Sequence, residues 1–336
     1  MRWFGRTAAA ASALVAAAFL VPASTSQASE SACRDLRLPV TLAGTPQTMH
    51  GRLCVPAGAD TVLVLVPGGT YNSTYWDSPF DGGSRSFSKA ANRAGYATLT
   101  VDRLGTGASS KPPSLLVTAT GQAHAVHEVV QAMRAGTHGP AFPKVVVGGH
   151  SLGAAIAILE AGTYRDVDGL LVTAMAHRLN TLGALPVFTS LVPAVLDPKF
   201  GGLDGYLTTQ VGARYEPFHR PGVRDEALLA LEESTKDVVA PPEVLDGALI
   251  GLVLPVTKLV DVPVLLVLGD DPAFCGLLAI DCRSGDTLRA SEAWAYQSAA
   301  DLRGHVLHGY GHAINYAPNT GEYQGVVMDW LADKVR

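Results

Sequence analysis

Short, uninterrupted runs of apolar residues recur along the chain and are separated by stretches with helical spacing of apolar positions. Such runs are typical of strands that are buried on both faces of a parallel sheet. The pattern predicts strands at residues 37–42 and 48–55 (joined by a Gly-Thr-Pro turn), 61–66, 96–101, from Val145 onward, 170–173, 262–268 and 305–307.

The stretches between the predicted strands favour helices at residues 84–93, 118–135, 152–160, 225–235, 291–299 and 323–334. Strands that alternate with helices predict an α/β fold, with a mostly parallel central sheet and helices on both faces. Residues 174–258 break this rhythm and are rich in Leu, Pro and Gly. We therefore interpret 29–336 as one domain that carries an inserted cap at about 174–258.

The first 28 residues have the pattern of a secretory signal peptide. Arg2 and Arg6 give a positive start, residues 8–21 form an apolar core, and small residues at 26–28 suit cleavage. The apolar core is too short to cross a bilayer comfortably. We expect a secreted protein with no membrane span.

Charge and cysteine content narrow the class further. The chain has 25 basic and 30 acidic residues, and loss of Arg2 and Arg6 with the signal peptide leaves 23 − 30 = −7. An acidic protein is a poor partner for nucleic acid or an anionic membrane. Four cysteines in an exported chain suggest two disulfides, for which three pairings exist. The local pairs Cys33–Cys54 and Cys275–Cys282 are the favoured ones.

The most informative motif is Gly149-His150-Ser151-Leu152-Gly153, which follows a predicted strand and precedes a predicted helix. Strand, tight turn and helix are the context of a nucleophile elbow, which exposes a serine hydroxyl on a sharp turn. Glycines at both ends permit the sharp turn and close packing of the helix on the strand. We predict Ser151 as the nucleophile.

A serine nucleophile needs a base and a group that orients the base. Asp271 and His312 each follow a later predicted strand, and the order Ser, Asp, His is the one that the nucleophile-elbow fold uses. The carboxyl ends of parallel strands meet at one edge, so these three side chains are expected to converge. Asp270 is an alternative acid and His308 an alternative base.

With these motifs, the sequence resembles the α/β-hydrolase superfamily, and more closely the secreted actinobacterial α/β hydrolases of esterase or lipase type. The resemblance covers nearly all of the chain after the signal peptide, except the cap. It is carried by residues 71–76, 102–107, 149–153 and 311–315. It implies Ser151 as nucleophile, His312 as base and Asp271 as orienting acid. It also implies that Asp102 is a structural turn residue.

The same pattern suggests where the oxyanion and the substrate bind. The oxyanion of acyl transfer needs backbone donors, and we predict the N–H groups of Leu152 and Gly69, with Thr70 or Tyr71 as alternatives to Gly69. The residues after this loop either line the acyl pocket or anchor the loop in the core: Thr70, Tyr71, Tyr75 and Trp76. Apolar cap residues either roof the site or form the core of the cap: Leu191, Val192, Pro193, Val195 and Leu196.

Other chemistry finds less support. His124 and His127 do not have the i, i+4 spacing of a zinc helix, and no Cys-x-x-Cys motif is present, so no metal site is expected. Gly105-x-Gly107 is not a dinucleotide fingerprint, and no cofactor is implied. His150, inside the elbow, is interpreted as a packed scaffold residue.

These observations favour a secreted serine hydrolase that cleaves a carboxylic ester or lactone of a small apolar acyl substrate. A peptidase or acyltransferase on the same triad is the first alternative, and a non-catalytic binding protein is the second. An aspartate nucleophile, as in dehalogenases and epoxide hydrolases, is disfavoured because Ser151 occupies its position. The substrate and the oligomeric state are left open.

Overall fold

The computed structural model describes residues 31–252, 256–276 and 279–335, together with Met1, Trp3 and Gly5. Apart from those three residues, the predicted signal peptide lies outside the described part of the chain. Among the described residues, no helix combines the length and the apolar character needed to cross a membrane.

The centre of the fold is an eight-stranded sheet with the order β1-β2-β4-β3-β5-β6-β9-β10. The first two strands pair antiparallel, β2 pairs antiparallel with β4, and all other neighbours are parallel. The strands, including a separate β7–β8 pair, are β1 Ala32–Leu42, β2 Thr45–Val55, β3 Thr61–Val66, β4 Ala97–Val101, β5 Lys144–His150, β6 Gly169–Thr173, β7 Leu191–Pro193, β8 Leu207–Thr209, β9 Pro263–Gly269 and β10 Asp301–Leu307.

Helices cover both faces of this sheet. Those of the described residues are α1 Phe87–Arg93, α2 Ala119–Ala135, α3 Leu152–Tyr164, α4 Thr181–Thr189, α5 Tyr215–Phe218, α6 Glu226–Thr235, α7 Pro241–Leu252, α8 Gly285–Glu292 and α9 Thr320–Lys334. Every residue of β3 is buried, and alternate side chains belong to two different core clusters. Burial on both faces is why this strand is continuously apolar. The predicted α/β fold is confirmed.

Two details of the predicted elements are wrong. A helix was expected at 291–299, but the helix in this region is α8, which ends at Glu292. It starts earlier than expected because Ser284 and Thr287 form a capping box before its first turn. The first hairpin turns at Ala43 and Gly44, which both have positive φ, so Thr45 already belongs to β2. The predictions also missed α4, α5, α7 and the β7–β8 pair.

Both local cysteine pairs are bonded in the structure. Cys33 and Cys54 face each other across the antiparallel pair β1–β2, so this disulfide ties the first strand to the sheet. Cys275 and Cys282 close a short loop after β9. The second disulfide therefore lies just beyond the turn that carries Asp270 and Asp271.

The segment between β6 and β9 contains α4 to α7 and the β7–β8 pair, which does not join the main sheet. Its last helix, α7, packs on α2 and α3. The division into a domain and a cap at about 174–258 stays a prediction. This segment lies over the carboxyl ends of the strands, where α4 and α7 border a cavity that also reaches Ser151.

Candidate active site

Ser151 sits on a strained turn between β5 and α3. Its backbone has φ 54° and ψ −120°, a region that residues other than glycine rarely occupy. The turn is held by hydrogen bonds, since the N–H of Ser151 donates to the carbonyl of Thr173 (2.9 Å) and its own carbonyl accepts from Ala154 (2.8 Å). Surrounding structure therefore maintains a conformation that costs of order 1–3 kcal/mol.

The two glycines of the motif are required by close backbone approaches. A Cβ on Gly149 would lie 2.1 Å from the carbonyl oxygen of Gly153, and a Cβ on Gly153 would lie 2.3 Å from that of Val66. Both separations are far below a van der Waals contact. The glycine spacing thus records helix α3 packing directly against the ends of β3 and β5.

His312 and Asp271 form a buried pair at the same edge of the sheet. The Nδ1 of His312 lies 2.6 Å from Oδ2 of Asp271, whose other oxygen accepts from the N–H of Ala273 (2.9 Å). Asp271 is fully buried, so its carboxylate is directed at the ring and fixes which nitrogen carries the proton. The other nitrogen, Nε2, remains for chemistry.

Ser151 and His312 border the same cavity. Within the described residues, neither the Ser151 hydroxyl nor His312 Nε2 has a hydrogen-bond partner. In enzymes without substrate, catalytic hydrogen bonds are often long and tighten only in the complex. The structure therefore brings the predicted nucleophile and base to one site and leaves both reactive atoms unengaged.

The alternative acid and base pair with each other instead. Nδ1 of His308 lies 2.8 Å from Asp270, whose second oxygen accepts from the N–H of Gly309 (2.7 Å). His308 is exposed, and both residues border a different pocket beside the Cys275–Cys282 disulfide. The geometry therefore associates Asp271, and not Asp270, with His312.

The predicted oxyanion donors lie beside Ser151. Leu152 is the first residue of α3, and its N–H, like those of Gly69 and Thr70, has no hydrogen-bond partner in the described part of the chain. Leu152, Gly69 and Thr70 all border the cavity. Tyr71 is engaged, because its N–H donates to the carbonyl of Gly68 (3.2 Å). Gly69 and Thr70 remain as sources of the second donor.

The cavity beside Ser151 is apolar. Of the side chains that border it within the described residues, only that of His312 is titratable. The apolar lining comes mainly from α4, α7 and the loops after β6 and β9: Met175, Leu179, Ala184, Val187, Phe188, Leu191, Val244, Ala248, Ala273 and Phe274. A pocket of this kind suits an uncharged apolar group and offers nothing to pair with a charged one.

Part of the predicted pocket is wrong. Thr70 borders the cavity, but Tyr71, Tyr75 and Trp76 do not, because they are buried in the core beneath it. Tyr75 stacks on the His150 ring with centroids 4.0 Å apart. The aromatic residues therefore anchor the loop, which was the alternative interpretation.

The predicted cap roof is also only partly right. Leu191 borders the cavity, whereas Val192, Pro193, Val195 and Leu196 do not. Leu196 is 72% exposed, because the turn after β7 carries it away from the site. The roof is made instead by α4 and α7, which the sequence pattern did not reveal.

Sequence reasoning also missed a buried charged network behind the site. The Arg214 guanidinium lies 4.3 Å from the centroid of the Tyr71 ring and pairs with Glu232 (3.4 Å). Glu232 also contacts His219 and accepts from the Tyr71 hydroxyl (2.8 Å). Burial alone would raise the pKa of Glu232, but the charges of His219 and Arg214 outweigh it and lower that pKa.

This network is continuous with the loop that carries His312. The carbonyl of Phe218 accepts from the N–H of Ala313 (2.8 Å), and that of His219 accepts from Gly311 (3.3 Å). The two hydrogen bonds flank His312 on both sides along the chain. The segment around α5 therefore positions the candidate base, although it lies far from it in sequence.

Three further predicted residues have structural partners. Asp102 accepts from the N–H groups of Ser73 and Ala108 (2.9 Å each), as a turn residue would. His124 contacts the Tyr164 hydroxyl (2.9 Å), and His127 contacts Asp166 (2.8 Å). The two helical histidines therefore do not share a ligand site.

Residues 63–321 match the model of the alpha/beta hydrolase family. The chain belongs to this family. The matched region includes the elbow, Asp271 and His312. Membership supports a hydrolase activity in general terms, and the strand order agrees with the mostly parallel sheet expected of the family.

Solved structures show the same alpha/beta hydrolase fold at low identity. A thermostable carboxyl esterase from Bacillus coagulans is 15% identical, with 90% of this chain and 99% of the esterase covered and a TM-score of 0.63. An N-acyl homoserine lactonase in complex with N-hexanoyl homoserine is 15% identical (91% and 98% covered, TM-score 0.60). An alpha/beta hydrolase from a Penicillium species is 16% identical (90% and 99%, TM-score 0.57). No curated protein matches the sequence significantly.

Gly153→Ala is expected to destabilise the elbow, because the new Cβ would overlap the carbonyl of Val66. Overpacking of this kind costs about 1–3 kcal/mol of unfolding free energy. Gly325→Ala is the matched control, since Gly325 is also helical and has nothing within 4 Å of its added Cβ. It should be stabilising by roughly 0.5–1 kcal/mol. Equal effects of the two substitutions in denaturant unfolding would contradict this account of the motif.

His150 is expected to make folding acid-sensitive. Burial is the main cause that holds the pKa of His150 well below its usual value, and the charge of His312 is the second cause. Below about pH 6.5, His150 is protonated in the unfolded chain but stays neutral in the folded state. The free energy of unfolding therefore falls as pH falls, by up to about 1.4 kcal/mol per pH unit. Unfolding free energies at pH 5 to 7 should show a smaller slope for His150→Gln. Parallel curves would refute the expectation.

Proposed function

We propose that this protein is a serine hydrolase that cleaves carboxylic esters or lactones with an uncharged apolar acyl group. One observation carries the proposal. Ser151, held at a positive φ between β5 and α3, opens onto an apolar cavity that also receives His312, and Asp271 holds the other nitrogen of that ring. Strained serine, free imidazole nitrogen and buried carboxylate are the parts that acyl transfer requires.

In the proposed reaction, Asp271 keeps the proton of His312 on Nδ1, so that Nε2 can accept the Ser151 proton. The serine oxygen attacks the acyl carbonyl, and the tetrahedral oxyanion binds the N–H of Leu152 together with that of Gly69 or Thr70. His312 then gives its proton to the leaving alcohol, and an acyl-enzyme remains. Water attacks this ester with His312 again as base, which releases the acid and restores the Ser151 hydroxyl.

The pocket supports the choice of substrate class. Its lining is aliphatic and aromatic, and no carboxylate borders it within the described residues, so a peptide amine would find no partner there. The similar solved structures include a carboxyl esterase and a lactonase. At their low identity they support the fold, and the preference for an ester or lactone rests on the pocket.

We further propose that the protein acts outside the cell after removal of residues 1–28. The two disulfides support this, because such bonds persist mainly in oxidising compartments. N-terminal sequencing of the protein recovered from culture medium would test the cleavage. A chain that begins at Met1 and stays with the cells would refute it.

Ser151→Ala is expected to lower the hydrolysis of p-nitrophenyl esters by about four to six orders of magnitude, and Asp271→Asn by about four. His308→Gln and Asp270→Asn are matched controls on the exposed pair and should leave kcat/KM nearly unchanged.

A fluorophosphonate probe should label the parent and not Ser151→Ala. Unlabelled, folded parent protein would favour a non-catalytic role. Faster acyl transfer to added amine or alcohol than to water would favour an acyltransferase.

Val187→Phe is expected to shorten the preferred acyl chain, because Val187 borders the cavity from α4. Relative to butyrate esters, hydrolysis of decanoate esters should fall at least about tenfold. Leu185→Phe is the control, since Leu185 lies on the same helix, is 53% exposed and does not border the cavity. An identical chain-length profile for Val187→Phe and the parent would place the acyl group elsewhere.

A further inference from the structure

A cluster of metal-ligating side chains lies at the end of α3 that is far from Ser151. It contains His127 from α2, Glu160 from α3 and Asp166 from the loop that follows α3. One donor atom from each residue lies within 4.8 Å of the other two. With 1.5 Å of rise per residue, the cluster is roughly 14 Å along the helix from Ser151. It is therefore separate from the proposed active site.

The buried oxygens of this cluster lack donors. Glu160 is 0% exposed, and neither of its carboxylate oxygens has a hydrogen-bond partner in the described part of the chain. Oδ1 of Asp166 is also buried without a partner. Buried carboxylates are normally paired or bound to a metal, because an unpaired buried charge is costly.

Nearby cations do not supply the missing partner. Arg134 is directed elsewhere, since it donates to the backbone carbonyl of Asp166 (2.8 Å) and pairs with Asp168 (2.6 Å). Gln131 and His127 both contact Oδ2 of Asp166, which leaves Oδ1 unengaged. Both oxygens of Glu160 and Oδ1 of Asp166 therefore stay without a partner in the described part of the chain, in a cluster whose donor atoms lie within 4.8 Å of one another.

We propose that His127, Glu160 and Asp166 bind a zinc ion. One imidazole and two carboxylates are donors that suit Zn²⁺, at roughly 2.0–2.2 Å, whereas Ca²⁺ takes oxygen ligands and Mg²⁺ keeps several waters. Three protein ligands leave a fourth tetrahedral position for water. His127 and Asp166 are partly exposed, with side-chain exposures of 24% and 17%, so an ion can enter from solvent.

The positions of the three proposed ligands indicate how zinc would affect the stability of the fold. His127 lies on α2, Glu160 lies near the end of α3, and Asp166 lies in the loop that leads into β6. The Tyr164 ring stacks on the His127 ring with centroids 3.9 Å apart and holds its orientation. A zinc ion would link these three elements and stabilise the folded state, with no direct contact to Ser151.

The test is zinc binding to the untagged full chain, stripped with chelator and measured by titration calorimetry and thermal unfolding. We expect one equivalent of Zn²⁺ to bind, and the melting temperature to rise by roughly 4–8 °C at a hundredfold excess over Kd. Ca²⁺ and Mg²⁺ should produce no comparable shift. Ester hydrolysis at the active site should not change.

His127→Gln and Asp166→Asn should each weaken zinc binding at least about tenfold. His124→Gln is the matched control, because His124 lies on the same helix and outside the cluster. Glu160→Gln should also lose binding, and its thermal unfolding without metal shows whether it folds. Absence of zinc binding to the parent, or binding that survives all three substitutions, would overturn the proposal and leave a carboxyl pair that shares a proton.

Discussion

The structure depends on how closely α3 approaches the ends of β3 and β5. A carbonyl of β3 occupies the space in which any side chain at position 153 would lie, and residue 149 meets the first turn of the helix. The connection between β5 and α3 is tight at this contact, and Ser151 within it has a positive φ. Strain at one residue is tolerated because a whole sheet and a buried helix hold it in place.

The position of His312 depends on a different kind of support. Its ring is fixed by Asp271 through one hydrogen bond, and its chain is fixed by backbone carbonyls from the segment around α5. That segment is itself held by the buried charges of Arg214 and Glu232. Removal of one partner of a buried pair typically costs 3–5 kcal/mol, because the other charge is left alone. The candidate base is therefore positioned by Asp271 directly, and by Arg214 and Glu232 through the segment around α5.

The parallel strands and the turn at Ser151 could be predicted from the sequence, because the residue patterns that indicate them are local. Continuous apolar runs locate the parallel strands, and the glycine spacing around Ser151 directly reflects its backbone contacts. The segment between β6 and β9 was harder to interpret. Pro186 lies inside α4, and Gly247 lies inside α7, so residues that usually break helices conceal both of them.

Long-range polar contacts were harder still. Charged residues are normally exposed, and nothing in the local pattern distinguishes the buried Glu232 from its partly exposed neighbour Glu233. The same holds for Tyr71, whose hydroxyl finds its partner 161 residues away. Such pairs are decided by tertiary packing, which a single sequence does not record.

Two backbone hydrogen bonds fasten the α5 segment to the loop that carries His312. α4 packs on this α5 segment, whereas α7 packs on α2 and α3, so the two helices that border the cavity rest on different parts of the fold. These two helices contact the cavity through Val187 and Val244, and they present Leu182 and Leu245 to solvent. The helices that border the cavity therefore also carry apolar side chains on their outer surface.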